Sequence, residues 1–122
     1  MKLHIFNPEH DIALAVNQPR FTAPHAGRQL RADLGFLPAL WAADGDMVLV
    51  DDVEAALESV RHIKRYASDV VFVSVADLKN LGDAFGNGFG IEPWGWDITL
   101  CTGLQSANAA LADYMPDAST LD

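Results

Sequence analysis

The chain has 122 residues, half of them hydrophobic and a fifth charged, which is the composition of one folded domain and excludes an intrinsically disordered segment. Seventeen acidic and eight basic side chains give a formal charge of −9, so nucleic acid and anionic membrane surfaces are excluded as partners. A single cysteine rules out an internal disulfide, and the apolar runs are shorter than the roughly 20 residues of a membrane span, so we expect a cytoplasmic protein.

The first part of the chain predicts one strand followed by helical sequence. Residues 2–7 favour a sheet, and Pro8 ends the strand. This strand pattern contains no long apolar stretch and no small-residue cleavage site, so we expect no signal peptide. Residues 12–16 are apolar and predict a short buried helix, and Thr22 can cap a longer helix over residues 25–34.

The next segment predicts a short helix, a strand and then the clearest amphipathic helix of the chain. The short helix over residues 37–43 and a turn at residues 44–46 lead into the apolar strand 47–50. Asp51 and Glu54 have the spacing of a capping box, so we expect Asp51 to cap the helix that follows. The apolar face of this helix consists of Val53, Ala56, Leu57, Val60 and Ile63.

The last part predicts a third strand and a C-terminal helix. Residues 70–75 favour a strand and residues 76–81 a short helix, whereas the four glycines of residues 82–90 indicate a loop. Residues 91–96 are expected to be extended and then to turn, and Asp97 can cap a helix through about residue 107. Its apolar stripe consists of Leu100, Leu104, Ala107 and Leu111.

The alternation of strands and helices predicts the α/β class. A parallel connection needs a crossover, which a helix commonly provides, so we expect one mostly parallel sheet. No repeat or linker divides residues 1–122, which we interpret as a single domain. Residues 115–122 have the pattern of a segment that leads into another element, so we expect the chain to be truncated from a longer protein.

The leading candidate site follows the first strand. Ligands of open α/β sheets gather beyond the carboxyl ends of the strands, and Asn7, Glu9, His10 and Asp11 come directly after this one. An amide, two carboxylates and an imidazole can bind a polar ligand or transfer a proton. In the competing interpretation Asp11 caps the next helix, Glu9 is solvated and His10 bonds to the backbone.

A second polar turn extends the predicted substrate site. His25 lies near the start of the predicted helix, followed by Arg28 and Arg31, and a helix start beside arginines can receive a phosphate or carboxylate. Ordinary surface arginines are the competing interpretation. No glycine-rich phosphate-binding motif occurs in the sequence. Because of the helix start beside the arginines, we include His25 and Arg28 as substrate-binding residues for a small polar or anionic molecule.

His4, the single cysteine and two of the tryptophans are interpreted as structural residues. The histidines and acids near the N-terminus match no zinc spacing, so no metal site is predicted, and His4 is interpreted as a packed histidine. Cys101 falls on the apolar side of a helix, which is typical of a buried cysteine. Trp94 and Trp96 could cover a pocket or anchor another domain, and core packing at a chain reversal is the favoured interpretation.

Three strings stand out, at residues 5–15 (IFNPEHDIALA), 21–31 (FTAPHAGRQLR) and 93–97 (PWGWD). Together they resemble an uncharacterised family of bacterial ATP-grasp-like proteins, over most of the chain. The resemblance implies a Rossmann-like, three-layer pre-ATP-grasp domain with a small parallel sheet. It also implies that the partners are the downstream ATP-grasp lobes of the same protein. ATP and Mg²⁺ would bind those lobes, and no cofactor is assigned to this chain.

The function implied by the resemblance is that of an ATP-dependent carboxylate–amine ligase, in which this domain binds substrate or has a structural role. Such an enzyme activates a carboxylate as an acyl phosphate, which an amine then captures. Two alternatives stay open: a non-catalytic small-molecule-binding or assembly module, and a metal- or histidine-dependent hydrolase. The catalytic residues are left unassigned, and a homodimer remains one of the assemblies to be considered.

Overall fold

The computed structural model describes residues 1–7, 34–80, 88–96 and 98–116. Their strands are β1 (Lys2–Ile5), β2 (Met47–Leu49), β3 (Val71–Val73) and β4 (Gly90–Pro93). The α-helices are α1 (Val53–Arg61), α2 (Val75–Leu78) and α3 (Ile98–Ala107), and the 3₁₀ helices are Leu37–Leu40, Lys64–Tyr66 and Ala109–Tyr114. No helix within these ranges has the length and apolarity needed to cross a membrane.

The described strands form one parallel sheet in the order β3-β2-β1-β4. Leu3 of β1 lies opposite Met47 of β2 and Ile91 of β4, and Met47 in turn lies opposite Val71 of β3. Helices α1 and α2 lie in the connections that return the chain to the start of the next strand, as parallel pairing requires. The predicted α/β class and parallel sheet are confirmed.

Helices cover both faces of the sheet and divide the core into two clusters. Because successive side chains of a strand point to opposite faces, Leu3 and Ile5 enter one cluster while Val48 enters the other. The first cluster lies under α2, α3 and the last 3₁₀ helix, and it includes Leu78, Leu104 and Leu111. The second lies under α1 and the first 3₁₀ helix, and it includes Ala39, Val50, Ala56 and Phe72. This is a three-layer arrangement.

Helix α1 forms as its periodicity predicts, but a different residue caps it. The Asp52 side chain accepts a hydrogen bond from the Ala55 N–H at 3.1 Å, so Asp52 and not Asp51 is the N-cap. Ala56 is buried on the side facing the sheet, whereas Leu57, predicted for the same face, is half exposed. The helix therefore begins at Val53, one residue later than an Asp51 cap would place it.

The boundaries of β3 and β4 also differ from the predictions. Val75 was expected in the strand but begins α2, because Ser74 and Asp77 form a capping box that starts the helix early. Gly90 was expected in the loop but begins β4, where its N–H donates to the Met1 carbonyl at 3.2 Å. Pairing with β1 therefore extends the sheet to a residue whose intrinsic strand preference is low.

Three predicted elements fall wholly or mostly outside the described residues. These are the short helix at 12–16, the helix at 25–34 apart from its last residue, and the loop at 82–90 apart from its last three residues. The capping role predicted for Asp97 lies outside them as well. Helix α3 itself ends at Ala107, as predicted.

Candidate functional site

The strand order predicts a ligand-binding crevice at one defined place on the sheet. From β1 the chain builds β2 and β3 on one side and then returns to add β4 on the other side of β1. The chain connections of β1 and β4 therefore run in opposite directions from the carboxyl ends of these two neighbouring strands. Such a place is called a topological switch point, and open α/β sheets bind ligands there. The carboxyl ends of β1 and β4 are therefore the candidate site.

Asn7 fixes the backbone of the turn on the β4 side of this crevice. Its Nδ2 donates to the Gly95 carbonyl at 2.8 Å, and its Oδ1 accepts from the Gly95 N–H at 3.3 Å. The residue is only 2% exposed. A carboxamide can donate to the carbonyl and accept from the N–H of one residue in this way. The geometry gives Asn7 a positioning role at the site where sequence reasoning expected a substrate contact.

The two tryptophans of this turn have different environments. The backbone N–H of Trp94 donates to the Ile5 carbonyl at 2.8 Å. The indole ring of Trp94 contacts the ring of Phe6 edge to face, with the centroids 5.4 Å apart. Trp94 is nevertheless 60% exposed. Trp96 instead packs against the first core cluster, as the packing interpretation predicted. Trp94 thus presents a positioned aromatic surface at the crevice, which the sequence pattern alone did not distinguish from its neighbour.

The remaining strand ends at this edge carry polar residues with local structural roles. Asp52 follows β2 and caps α1, and Ser74 follows β3 and caps α2. Both use their side-chain oxygens to accept backbone N–H groups, so these oxygens are directed into the helices. The exposed ring of Trp94 lies instead at the carboxyl ends of β1 and β4.

Among the predicted site residues the structure describes Asn7 alone. Glu9, His10, Asp11, His25 and Arg28 lie outside the described residues, and so does Arg31. Within the described ranges, no group of three or more His, Cys, Asp or Glu side chains could hold a metal ion.

A buried histidine–aspartate pair lies away from the crevice, near the amino end of the sheet. The His4 Nε2 and Asp46 Oδ2 atoms are 2.8 Å apart, and the residues are 6% and 5% exposed. Asp46 also accepts the backbone N–H groups of Lys2 at 3.0 Å and Ala43 at 3.1 Å. The pair joins β1 to the turn before β2. His4 is therefore a packed histidine, as predicted.

The charge of Asp46 is stabilised by these donors. Burial alone raises the pKa of Asp46, but the hydrogen bonds from His4, Lys2 and Ala43 and the attraction of His4 outweigh it and hold the pKa below its usual 3.8. An ionised carboxylate can only accept, so the His4 Nε2 carries the hydrogen. The His4 Nδ1 atom is buried and has no hydrogen-bond partner.

Sequence reasoning interpreted residues 44–46 as a turn and did not assign Asp46 a partner. The turn is present, with Gly45 at a φ of +90°, a conformation that favours glycine. The available signal was an acidic residue directly before an apolar strand, where a buried charge needs a partner.

Comparisons with models of protein families, with curated proteins and with solved structures find no match to this chain.

Proposed function

We propose that the chain is the N-terminal, substrate-binding domain of a cytoplasmic ATP-dependent carboxylate–amine ligase of the ATP-grasp type. One observation supports this most. Two of the three strings that resemble the ATP-grasp-like family, around Asn7 and around Gly95, are 88 residues apart in the sequence and hydrogen-bond to each other at the switch point. Strings that characterise a family and meet where α/β sheets bind ligands favour a shared binding role.

The proposed substrate site continues from Asn7 along the chain. Glu9, His10 and Asp11 follow Asn7 within four positions, so the covalent chain tethers them to the carboxyl end of β1. Their side chains offer two carboxylates and one imidazole. A small polar or anionic substrate bound here would lie beside the exposed ring of Trp94.

The chemistry is divided between this domain and the downstream lobes. ATP and Mg²⁺, held by those lobes, supply the activation of the carboxylate. This domain binds and orients a substrate, and the imidazole of His10 takes the proton that an attacking amine loses. Asn7 keeps the β4 turn in place and so maintains the wall of the site.

The role of His10 is tested in a protein that joins this chain to the proposed ATP-grasp lobes. His10→Ala should leave the melting temperature nearly unchanged and lower substrate-dependent ATP turnover by about tenfold or more, which is the lower range for a positioned acid or base. The measurement is release of ADP with panels of carboxylates and amines. His62→Ala is the matched control, because His62 is exposed and follows α1.

Two outcomes would contradict the His10 assignment. If His10→Ala turns over ATP like the parent, the residue does not act in the reaction. If it unfolds readily, His10 is a structural histidine. Absence of any ADP release from the parent with every substrate pair would instead favour the second candidate, a non-catalytic binding or assembly module, for which the exposed Trp94 provides a contact surface.

A separate prediction concerns nucleotide binding by the 122-residue chain alone. We expect calorimetry with Mg-ATP to detect no tight stoichiometric site, because the sequence contains neither G-x-G-x-x-G nor G-K-[ST], the glycine-rich motifs whose N–H groups bind phosphates. A saturable heat with a stoichiometry near one per chain would show that the nucleotide binds this domain and would overturn the division proposed above.

A further inference from the structure

A short segment of this acidic chain carries a local group of basic residues. Three of its eight Lys and Arg residues, Arg61, Lys64 and Arg65, lie within five positions, and His62 lies among them. All four side chains are exposed, where α1 ends and the 3₁₀ helix Lys64–Tyr66 follows. A local basic patch on a chain of formal charge −9 attracts anions that the rest of the surface repels.

A cleft adjoins this basic patch. Its volume is about 370 Å³, within the range of small-molecule sites. It lies between α1 and the segment that enters β3, at the amino end of that strand and away from the switch point. The side chains that line it are Leu57, Val60, Ala67, Val70 and Phe72, which are apolar, and Arg61, Lys64, Ser68 and Asp69, which are polar.

The side chains that line the cleft carry charges of both signs, and their sum favours an anion. Arg61 and Lys64 are cationic and Asp69 is anionic, so the lining carries one net positive charge. Arg61 also forms an ion pair with Glu58 at 3.1 Å. Both partners of that pair are largely exposed, so the pair is weak and an incoming anion can compete with it.

We propose that this cleft binds an amphiphilic anion, a carboxylate attached to a short apolar chain. The apolar chain would lie on Val60, Val70 and Phe72, where its burial contributes about 25 cal/mol per Å². The carboxylate would lie between Arg61 and Lys64 as the acceptor of charge-assisted hydrogen bonds. This site is independent of the ligase proposal, because it lies at the opposite end of the sheet.

Octanoate is the probe, titrated into the 122-residue chain and followed by amide chemical shifts in NMR. We expect saturable shifts at Val70 and Phe72 and none at Trp94. Octan-1-ol, with the same apolar chain and no charge, should bind at least about threefold more weakly. Lys64→Gln should weaken octanoate binding about three- to tenfold and leave octan-1-ol binding unchanged.

Three more variants separate the contributions of the cleft. Asp69→Asn removes the opposing charge and should tighten octanoate binding about two- to threefold. Val70→Thr keeps the shape of the side chain but adds a hydroxyl, so it should weaken both ligands. Lys79→Gln removes an exposed lysine outside the cleft and should change neither. Each variant is checked for an unaltered fold by its amide spectrum before titration.

The proposal is overturned by any of three results. If octanoate and octan-1-ol shift the same residues with equal affinity, the cations do not contribute to binding. If Lys64→Gln and Lys79→Gln weaken octanoate binding equally, only the net charge of the chain matters. Shifts confined to residues outside the cleft, or no saturable shifts, would mean that the cleft does not bind the anion.

Discussion

Replacing Asp46 with alanine is expected to lower the free energy of unfolding by about 3–5 kcal/mol, because three donors lose their acceptor and each buried group left unpaired costs about 1–3 kcal/mol. The variant leaves the His4 Nε2 and the N–H groups of Lys2 and Ala43 without their acceptor. Buried donors that lose their acceptor keep their desolvation cost. The measurement is urea unfolding of both proteins, with equal slopes required for comparison.

Asp44→Ala is the matched control for this variant. Asp44 lies in the same turn and accepts the Asp69 N–H at 2.8 Å, but it is exposed. Its removal should cost about 1 kcal/mol or less. Equal losses for the two variants would show that the His4–Asp46 pair adds nothing beyond an ordinary turn hydrogen bond.

The Asp46 contribution should also depend on pH in a defined direction. The folded state lowers the pKa of Asp46 below 3.8, so the folded state binds this proton less tightly than the unfolded chain does. The stabilisation is fully present above the unfolded value and is lost as the pH falls through the folded value. The difference between the parent and Asp46→Ala should shrink as the pH falls below about 4.

Replacing Asn7 with alanine is expected to cost about 2–4 kcal/mol and to loosen the β4 turn. The hydrogen bonds to the Gly95 carbonyl and from the Gly95 N–H both disappear, and each group left without a partner in a partly buried place costs about 1–2 kcal/mol. Hydrogen exchange of the Gly95 amide should accelerate by about tenfold or more, because Asn7 is its acceptor. Amide exchange measured by NMR tests this directly.

Asn80→Ala is the control for Asn7→Ala. Asn80 is exposed and donates to the Ala76 carbonyl at a long 3.4 Å, so its loss should change stability by about 0.5 kcal/mol at most. An Asn7→Ala protein with parental stability and parental Gly95 exchange would refute the positioning role. Such a result would return Asn7 to the direct substrate contact that the sequence suggested.

The contrast between Trp94 and Trp96 connects the stability of the turn to the proposed site. Trp96 is fixed by the first core cluster, whereas Trp94 is held by one backbone hydrogen bond to β1 and by the ring of Phe6. Asn7 adds the third constraint through Gly95. The exposed ring is therefore oriented by β1, the strand that leads into Glu9, His10 and Asp11 in the sequence.

The sequence by itself determined the elements whose information is local. The period of apolar residues predicts α1 and α3, and the apolar runs predict β2 and β3, because side chains a few positions apart share a face in a helix or strand. The alternation of these elements predicts a parallel sheet, since each parallel connection needs a crossover. The differences include helix boundaries such as Asp52 and Val75, where adjacent residues compete to cap a helix, and Leu57, which is half exposed although its spacing predicts the apolar face.

Only the tertiary structure decided which distant residues meet. The His4–Asp46 pair spans 42 positions and the Asn7–Gly95 pair spans 88, and both depend on β1 lying between β2 and β4. No local pattern encodes that order, because each strand would be equally well formed beside another neighbour. Burial then assigns the roles: Asp46 is ionised because donors from three separate residues surround it, and Trp94 is exposed because it follows the last strand at the edge of the sheet.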